Sequence, residues 1–317
     1  MKKSVQPTAF KSFTEMLSVL NTETECRLFL EQLRWNGEPV CPHCGSKNKA
    51  HYELKTKGEF KGLRKCKDCR ERFTVTVGTM FEGSHLPLRK WFIATYIFAS
   101  HKKGISSHQL ARDLGITQKT AWFVLGRLRN SFKVKTKVKF GSTPTQADES
   151  YFGGKNKNRH ASKKVKESQG RSTKDKTPVF GLLNSGLVNI SVVPDTKSKT
   201  LKPIIASMVE KGAIMVTDEW TAYNGLNKDY QHEVLKHNEG QFINDNNFHT
   251  NGIEGFWSLM KRGIFGIYHS ASAKHLNKYC DEFAYRYNTR KTTDGNRFSL
   301  SLLNAEDRLT YKELIQK

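Results

Sequence analysis

Residues 41–78 read CPHCGSKNKAHYELKTKGEFKGLRKCKDCRERFTVTVG, and this stretch decides how the first part of the chain folds. It holds two Cys-x-x-Cys knuckles, Cys41-Pro42-His43-Cys44-Gly45 and Cys66-Lys67-Asp68-Cys69. Each knuckle offers two thiolates from one tight turn, so the pair can hold one tetrahedral Zn²⁺, and the residues between them suffice for a small hairpin. Disulfides are the alternative, but the basic N-terminus carries no apolar segment that would send the chain to an oxidising compartment. Four thiolates saturate the metal, so this zinc is expected to hold a fold together and not to catalyse. His43 reads as a turn residue within its knuckle. The alternating run Phe73-Thr74-Val75-Thr76-Val77 reads as a strand. Cys26 and Cys280 stand alone in helical patterns and read as buried small hydrophobes.

Upstream, residues 12–34 have a helical pattern interrupted by a turn at Asn21-Thr22. Downstream, 89–102 is a strongly apolar helix, followed by shorter helical patterns at 106–114 and 118–131. The last two form a helix-turn-helix: Ser106 or Ser107 caps the first helix, Gly115 closes it and Thr117 caps the second. Gln118, Lys119, Thr120 and Phe123 then stand at the leading end of a helix suited to a DNA major groove, with Arg127 and Arg129 further along and suited to phosphates. Residues 133–144 (KVKTKVKFGSTP) alternate Lys with apolar or Thr residues and end in turn formers, which makes them the best domain boundary.

Strand-like runs follow at 145–152, 178–184, 187–193 and 213–217, with a helical pattern at 199–210 and mostly helix over 251–290. That order suggests a mixed sheet covered by helices. Three acids stand out by position: Asp148 on the first run, Asp218 just after the last, and Glu254 in the first turns of a helix. Two strand-borne aspartates and a helix-borne acid can hold two Mg²⁺ or Mn²⁺ ions about 3.5–4 Å apart, suited to polarising both reacting oxygens of a phosphodiester. Lys261 lies two helical turns beyond Glu254 on the same face and can pair with a DNA backbone. The plainer readings are a strand-end turn at Asp218, a solvated Asp148-Glu149 pair, and a capping box formed by Asn251 and Glu254.

Charge supports a polyanion partner. The 317 residues carry 53 Lys+Arg against 30 Asp+Glu, a formal net charge of +23. Of these, 27 basic and 11 acidic residues lie in 1–144, and the insert 155–176 adds nine basic residues against Glu167 and Asp175, leaving the remainder balanced. Nucleic acid is the expected partner, and a small acidic metabolic enzyme is excluded. No stretch reaches the roughly 18 apolar residues of a membrane span.

The motifs CPHCGS after Arg34-Trp35, KCKDC before FTVTVGTMF, LPLRKWF, GISSHQLARDLGITQKTAWF, DESYFGGK, TDEWTAY, HTNGIEGFWSLMKRGIFGIYH and KHLNKYCDEFAYRYNTR extend over roughly residues 26–291. In these the chain resembles the bacterial insertion-sequence transposases of the DDE superfamily, in the subgroup with an N-terminal zinc ribbon. The resemblance implies a ribonuclease-H-like α/β catalytic domain within a multi-domain α+β protein. It also implies metal-dependent cleavage and joining of double-stranded DNA at transposon ends by Asp148, Asp218 and Glu254, accompanied by Lys261. Because related subgroups use Asn as the third group, Asn251, with His249 beside it, stays an alternative to Glu254, and Glu219 stays one to Asp218. The expected domains are 1–78 (helix and zinc ribbon), 79–140 (helix-turn-helix), 141–295 (catalytic, with the insert) and 296–317 (helical tail). A homodimer or higher assembly on DNA, in the bacterial cytoplasm, is expected. The alternatives are a sequence-specific DNA-binding regulator with a non-catalytic nuclease-like domain, which has no need of the acid set, and an RNA-processing nuclease. The helix-turn-helix speaks against the nuclease, because the deep, narrow major groove of RNA cannot accept such a helix.

Overall fold

Side-chain caps start the first helices of the computed structural model. Ser12 accepts from the Glu15 N–H ahead of α1 (Phe13–Val19), and Thr22 forms a capping box with Glu25 ahead of α2 (Glu23–Trp35). The structure describes residues 10–133, 139–154, 156, 159–166, 172 and 174–316, so the expectations for 134–138 and for much of the basic insert lie partly outside the described residues. It divides into two units, Met1–Phe132 with Arg290–Lys317, and Lys133–Thr289.

In the first unit β1 (Tyr52–Thr56), β2 (Glu59–Lys65) and β3 (Arg72–Phe73) form a three-stranded antiparallel sheet behind the cysteines. The expected strand at 73–77 ends after Phe73. Arg34 Nη1 donates to the carbonyls of Val75 and Val77, and the Val77 N–H bonds to Thr74 O, so the alternating residues form a turn. Helix α3 (Leu88–Ser100) has Glu23 as its cap, since that carboxylate accepts from the N–H groups of Leu88 and Arg89. Helices α4 (Ser107–Leu114) and α5 (Gln118–Ser131) begin at Ser106 and Thr117, and Gly115 between them is left-handed at φ 58°. The tail is no separate piece: α9 (Asp294–Leu303) places Phe298 against the rings of Phe10, Phe29, Phe92 and Tyr96, and α10 (Tyr311–Ile315) packs on α5.

The second unit holds a five-stranded sheet of β4 (Thr145–Phe152), β5 (Thr177–Asn184), β6 (Leu187–Val192), β7 (Ile214–Asp218) and β8 (Gln231–Leu235). Its order is β6-β5-β4-β7-β8, antiparallel from β6 to β4 and parallel from β4 to β8. Alternation along β5 serves two cores. Phe180 and Leu182 face α6 (Ser198–Met208), while Val179 and Leu183 face α7 (Asn251–Gly263) and α8 (Ala273–Asn288). This mixed sheet between helices is the ribonuclease-H-like arrangement. Strand β8, Gln-His-Glu-Val-Leu, was not legible in the sequence, because only Leu235 of its five residues is buried.

Candidate functional site

The cysteines form a compact thiolate site. The Sγ atoms of Cys41, Cys44, Cys66 and Cys69 lie within 4.8 Å of one another, with Cys41–Cys69 and Cys44–Cys66 each at 3.7 Å. A tetrahedron of thiolates with Zn–S of about 2.3 Å has edges of about 3.8 Å, so the separations fit zinc. They are far from the roughly 2.05 Å of a disulfide. Each knuckle is a backbone turn: Cys41 N–H bonds to Ser46 O and Gly45 N–H to Cys41 O, and Cys66 and Arg70 repeat the pattern. His43 stays outside the cluster, its Nε2 3.1 Å from Arg72 O.

The carboxylates meet because of strand register. β4 and β7 pair in parallel at Thr145–Met215 and Gln146–Val216, a constant offset that sets Asp148 beside Asp218 two residues further on. The β4–β7 pairing ends at Gln146–Val216, two residues before the aspartates. Glu254 arrives from α7, whose first turn is docked on β4: Gln146 Oε1 accepts from Ile253 N–H at 2.9 Å. Gly252 permits this approach, since a Cβ there would lie 2.7 Å from the same oxygen. One turn later Trp257 Nε1 donates to Asp148 Oδ2 at 3.1 Å. The indole has room because Asp148 pairs across β4–β5 with Gly181, where a Cβ would stand 2.7 Å from the Trp257 ring.

Burial pushes the Asp148 carboxyl up to about 7, and the negative charges of Asp218 and Glu254 push the same way against hydrogen bonds from the Glu149 backbone and Trp257. Three carboxylates thus share one electrostatic neighbourhood. They do not form a triple within 4.8 Å, as the cysteines do among the described residues. A cavity of about 510 Å³ opens over this point, lined by Asp148, Glu254, Trp257, Lys261, Arg262 and Phe265 among others, while Asp218 lies outside its wall.

The remaining sequence candidates fall on both sides of expectation. Asp148-Glu149 is not a solvated pair, because the buried Tyr223 donates its hydroxyl to Glu149. Asp218 Oδ1 accepts from Trp220 N–H, whereas Glu219 turns to the backbone N–H of Asn238. The cap of α7 is Thr250 and not Asn251; Thr250 Oγ1 donates to Glu254 Oε1 at 2.6 Å, and His237 Nε2 stands 3.8 Å away. Asn251 is exposed and off the cavity wall, and His249 Nδ1 lies 3.5 Å from Gln146 Nε2. Gln146, Gly181 and Trp257 were missed; the signal available was Trp257 three residues after Glu254, on one helical face.

In the first unit, Arg127 and Arg129 correct the sequence reading. Both are buried, at 3% and 4% exposure, because the second half of α5 is enclosed on all sides. Arg127 donates to the carbonyls of Leu309, Met80 and Glu82 and lies over the Phe123 ring, and Arg129 lies over Phe98, so neither reaches a phosphate. Gln118 and Lys119 are exposed; Gln118 donates to Ser107 Oγ, and Lys119 Nζ stands over the Tyr311 ring. Thr120 is half-buried and shares a hydroxyl contact with Thr117.

Comparison with known proteins places the chain among transposases. Residues 142–288 match the family model of the ISXO2-like transposase domain, and residues 21–72 match that of the transposase zinc-ribbon domain. A Halobacterium salinarum protein described as an uncharacterized protein in transposable element ISH50 is 27% identical over 278 residues, covering 84% of this chain and 90% of its own. An uncharacterized transposase-like protein of Haemophilus influenzae is 32% identical over 98 residues, which span 31% of this chain and 77% of that protein. A solved structure titled as a pre-cleavage Mos1 transpososome aligns over 69% of this chain and 80% of its own, at 12% identity and a TM-score of 0.25.

Proposed function

Because the chain belongs to the insertion-sequence transposases of DDE type, we propose that it binds double-stranded transposon ends and carries out metal-dependent strand cleavage and strand transfer in the cavity over Asp148. The observation that carries this reading is that Asp148, in register with Asp218 across β4–β7 and sharing a cavity wall with Glu254, has its carboxyl raised by burial first and by the charges of those two acids second. Carboxylate oxygens are the donor set that hard divalent ions require. Asp148, Asp218 and Glu254 would hold two Mg²⁺ or Mn²⁺ ions, which when bound supply Lewis acidity at the phosphoryl oxygens and a lowered pKa at the attacking hydroxyl.

The chain's own residues do the positioning. Trp257 orients Asp148, Thr250 orients Glu254, and Lys261 and Arg262 stand on the cavity wall where a DNA backbone would pass. Recognition of the end sequence falls to α4 and α5, with Gln118 and Lys119 as the exposed groups at the leading end, and the exposed lysines of the ribbon add non-specific affinity. Two ends must be brought together for joining, so a dimer or larger assembly on DNA is part of the proposal. Asp148→Asn, Asp218→Asn and Glu254→Gln should each abolish Mg²⁺-dependent cleavage and joining of a labelled transposon end while leaving DNA binding within about twofold of wild type. If Glu254→Gln keeps activity and Asn251→Ala loses it, the third ligand is Asn251.

A further inference from the structure

We propose that Phe265 is a stacking platform for an unpaired nucleobase, so that a DNA end enters the cavity with its terminal base pairs opened; this rests on the reading of the cavity as the transposase site. Phe265 is 47% exposed, on the same cavity wall as Asp148 and Glu254. Glu254, Ser258, Lys261, Arg262 and Phe265 recur at helical spacing and form one face of α7 continued into the π-helical turn Ile264–Tyr268. Ile264 is buried in the core beneath the sheet, which anchors that turn and leaves the next side chain at the cavity. Before it, Arg262 Nη1 donates to Ser258 Oγ at 2.9 Å, which fixes the guanidinium along the wall beside Lys261.

The face therefore reads, from Glu254 outward, as acid, two cations, then an aromatic ring. Cations that track a backbone, interleaved with an exposed ring, are the pattern of single-strand binding, because every base offers a π face whatever the sequence. Phe265 lies eleven residues beyond Glu254, about 16 Å at 1.5 Å per residue, or about five nucleotides of duplex at 3.4 Å each. Within a continuous duplex, as at an uncleaved end still joined to flanking DNA, both faces of each internal base are covered by its neighbours. A ring on the wall about five nucleotides from Glu254 therefore has a face to stack on only where the pairs have parted.

The test uses full-length protein, Mg²⁺ and a labelled duplex carrying the terminal inverted repeat that flanks the coding sequence. A second duplex has its terminal pairs replaced by mismatches. Phe265→Ala should slow cleavage of the paired end by about tenfold or more. Phe265→Trp should keep the wild-type rate, Phe265→Leu should behave as Ala, and the mismatched end should return the Ala variant to within about threefold of wild type. A wild-type rate for Phe265→Ala on the paired end, equal rates for Leu and Phe, or no relief from mismatches would each overturn the inference. Asp148→Asn runs in parallel. Cleavage by that variant sinks the reading of the site itself, whereas a dead Asp148→Asn beside an unimpaired Phe265→Ala sinks only the role of Phe265.

Discussion

Asp148 is placed where burial makes its charge cost stability. Its carboxyl rises from 3.8 to about 7 in the folded chain, so across that interval the folded state holds a proton that the unfolded state has released. Stability without metal must then fall as pH rises through the interval, and the full cost is present above it. Asp148→Asn removes the charge and keeps the shape, so the metal-free variant should melt above wild type at pH 8 by about 3 °C or more, with the gap closing toward pH 4. Adding Mg²⁺ should raise the melting temperature of wild type and not of the variant; thermal melts across pH with and without the ion check this. Arg127 is the opposite case, a basic residue whose work is internal. Arg127→Ala would strand two buried carbonyls, of Leu309 and Met80, and the part-buried carbonyl of Glu82, and should cost about 3 kcal/mol or more in chemical denaturation. Lys119→Ala, at an exposed position, should leave stability within about 0.5 kcal/mol and weaken DNA binding.

At the scale of elements, the site depends on one helix docked against one strand pair. Gln146 holds the start of α7, Gly181 leaves the space and Trp257 fills it, and the indole N–H meets Asp148 on the neighbouring strand. Gly181→Ala therefore tests the element and not the carboxylates. Its Cβ would meet the Trp257 ring at 2.7 Å and Ile190 Cγ2 at 3.0 Å, so α7 must shift or the indole must turn. Overpacking of this kind costs about 1–3 kcal/mol. The variant should fold, lose strand transfer by about tenfold or more and show a blue- or red-shifted Trp emission. Unchanged activity would mean that the indole only packs.

At the scale of the molecule, the first unit is closed by the two ends of its chain. Phe298 is fully buried among rings from α2 and α3, and Arg297 donates to Ala99 O, so the N-terminal residues share their core with the tail. Phe298→Ala should cost about 3–5 kcal/mol, and a fragment ending at residue 140 should lack cooperative unfolding although it contains the ribbon and both helices of the turn. Differential scanning calorimetry of the fragment, alone and with residues 290–317 restored through a linker, decides it. A cooperative transition in the fragment alone would contradict the shared core.

Local chemistry was legible in the sequence wherever neighbours along the chain decide the outcome. The knuckle cysteines, the caps at Ser106 and Thr117, the left-handed Gly115, the polar strand β4 and the apolar runs of β5 and β7 each follow from residues within a turn or a strand of one another. The succession of strands and then helices also pointed to a mixed sheet covered by helices, but the strand order β6-β5-β4-β7-β8 and the edge strand β8 came only with the tertiary structure. Tertiary structure alone decided what lies between distant residues. It turned Thr74–Val77 into a turn through Arg34, buried Arg127 beneath a tail 182 positions away, and chose Thr250 over Asn251 as a cap. It also set Gly181 opposite Asp148 so that Trp257 could reach the carboxylate. A charge or an alternating run has the same local preference on a surface or in a core; only the packed partners determine which free energy it meets.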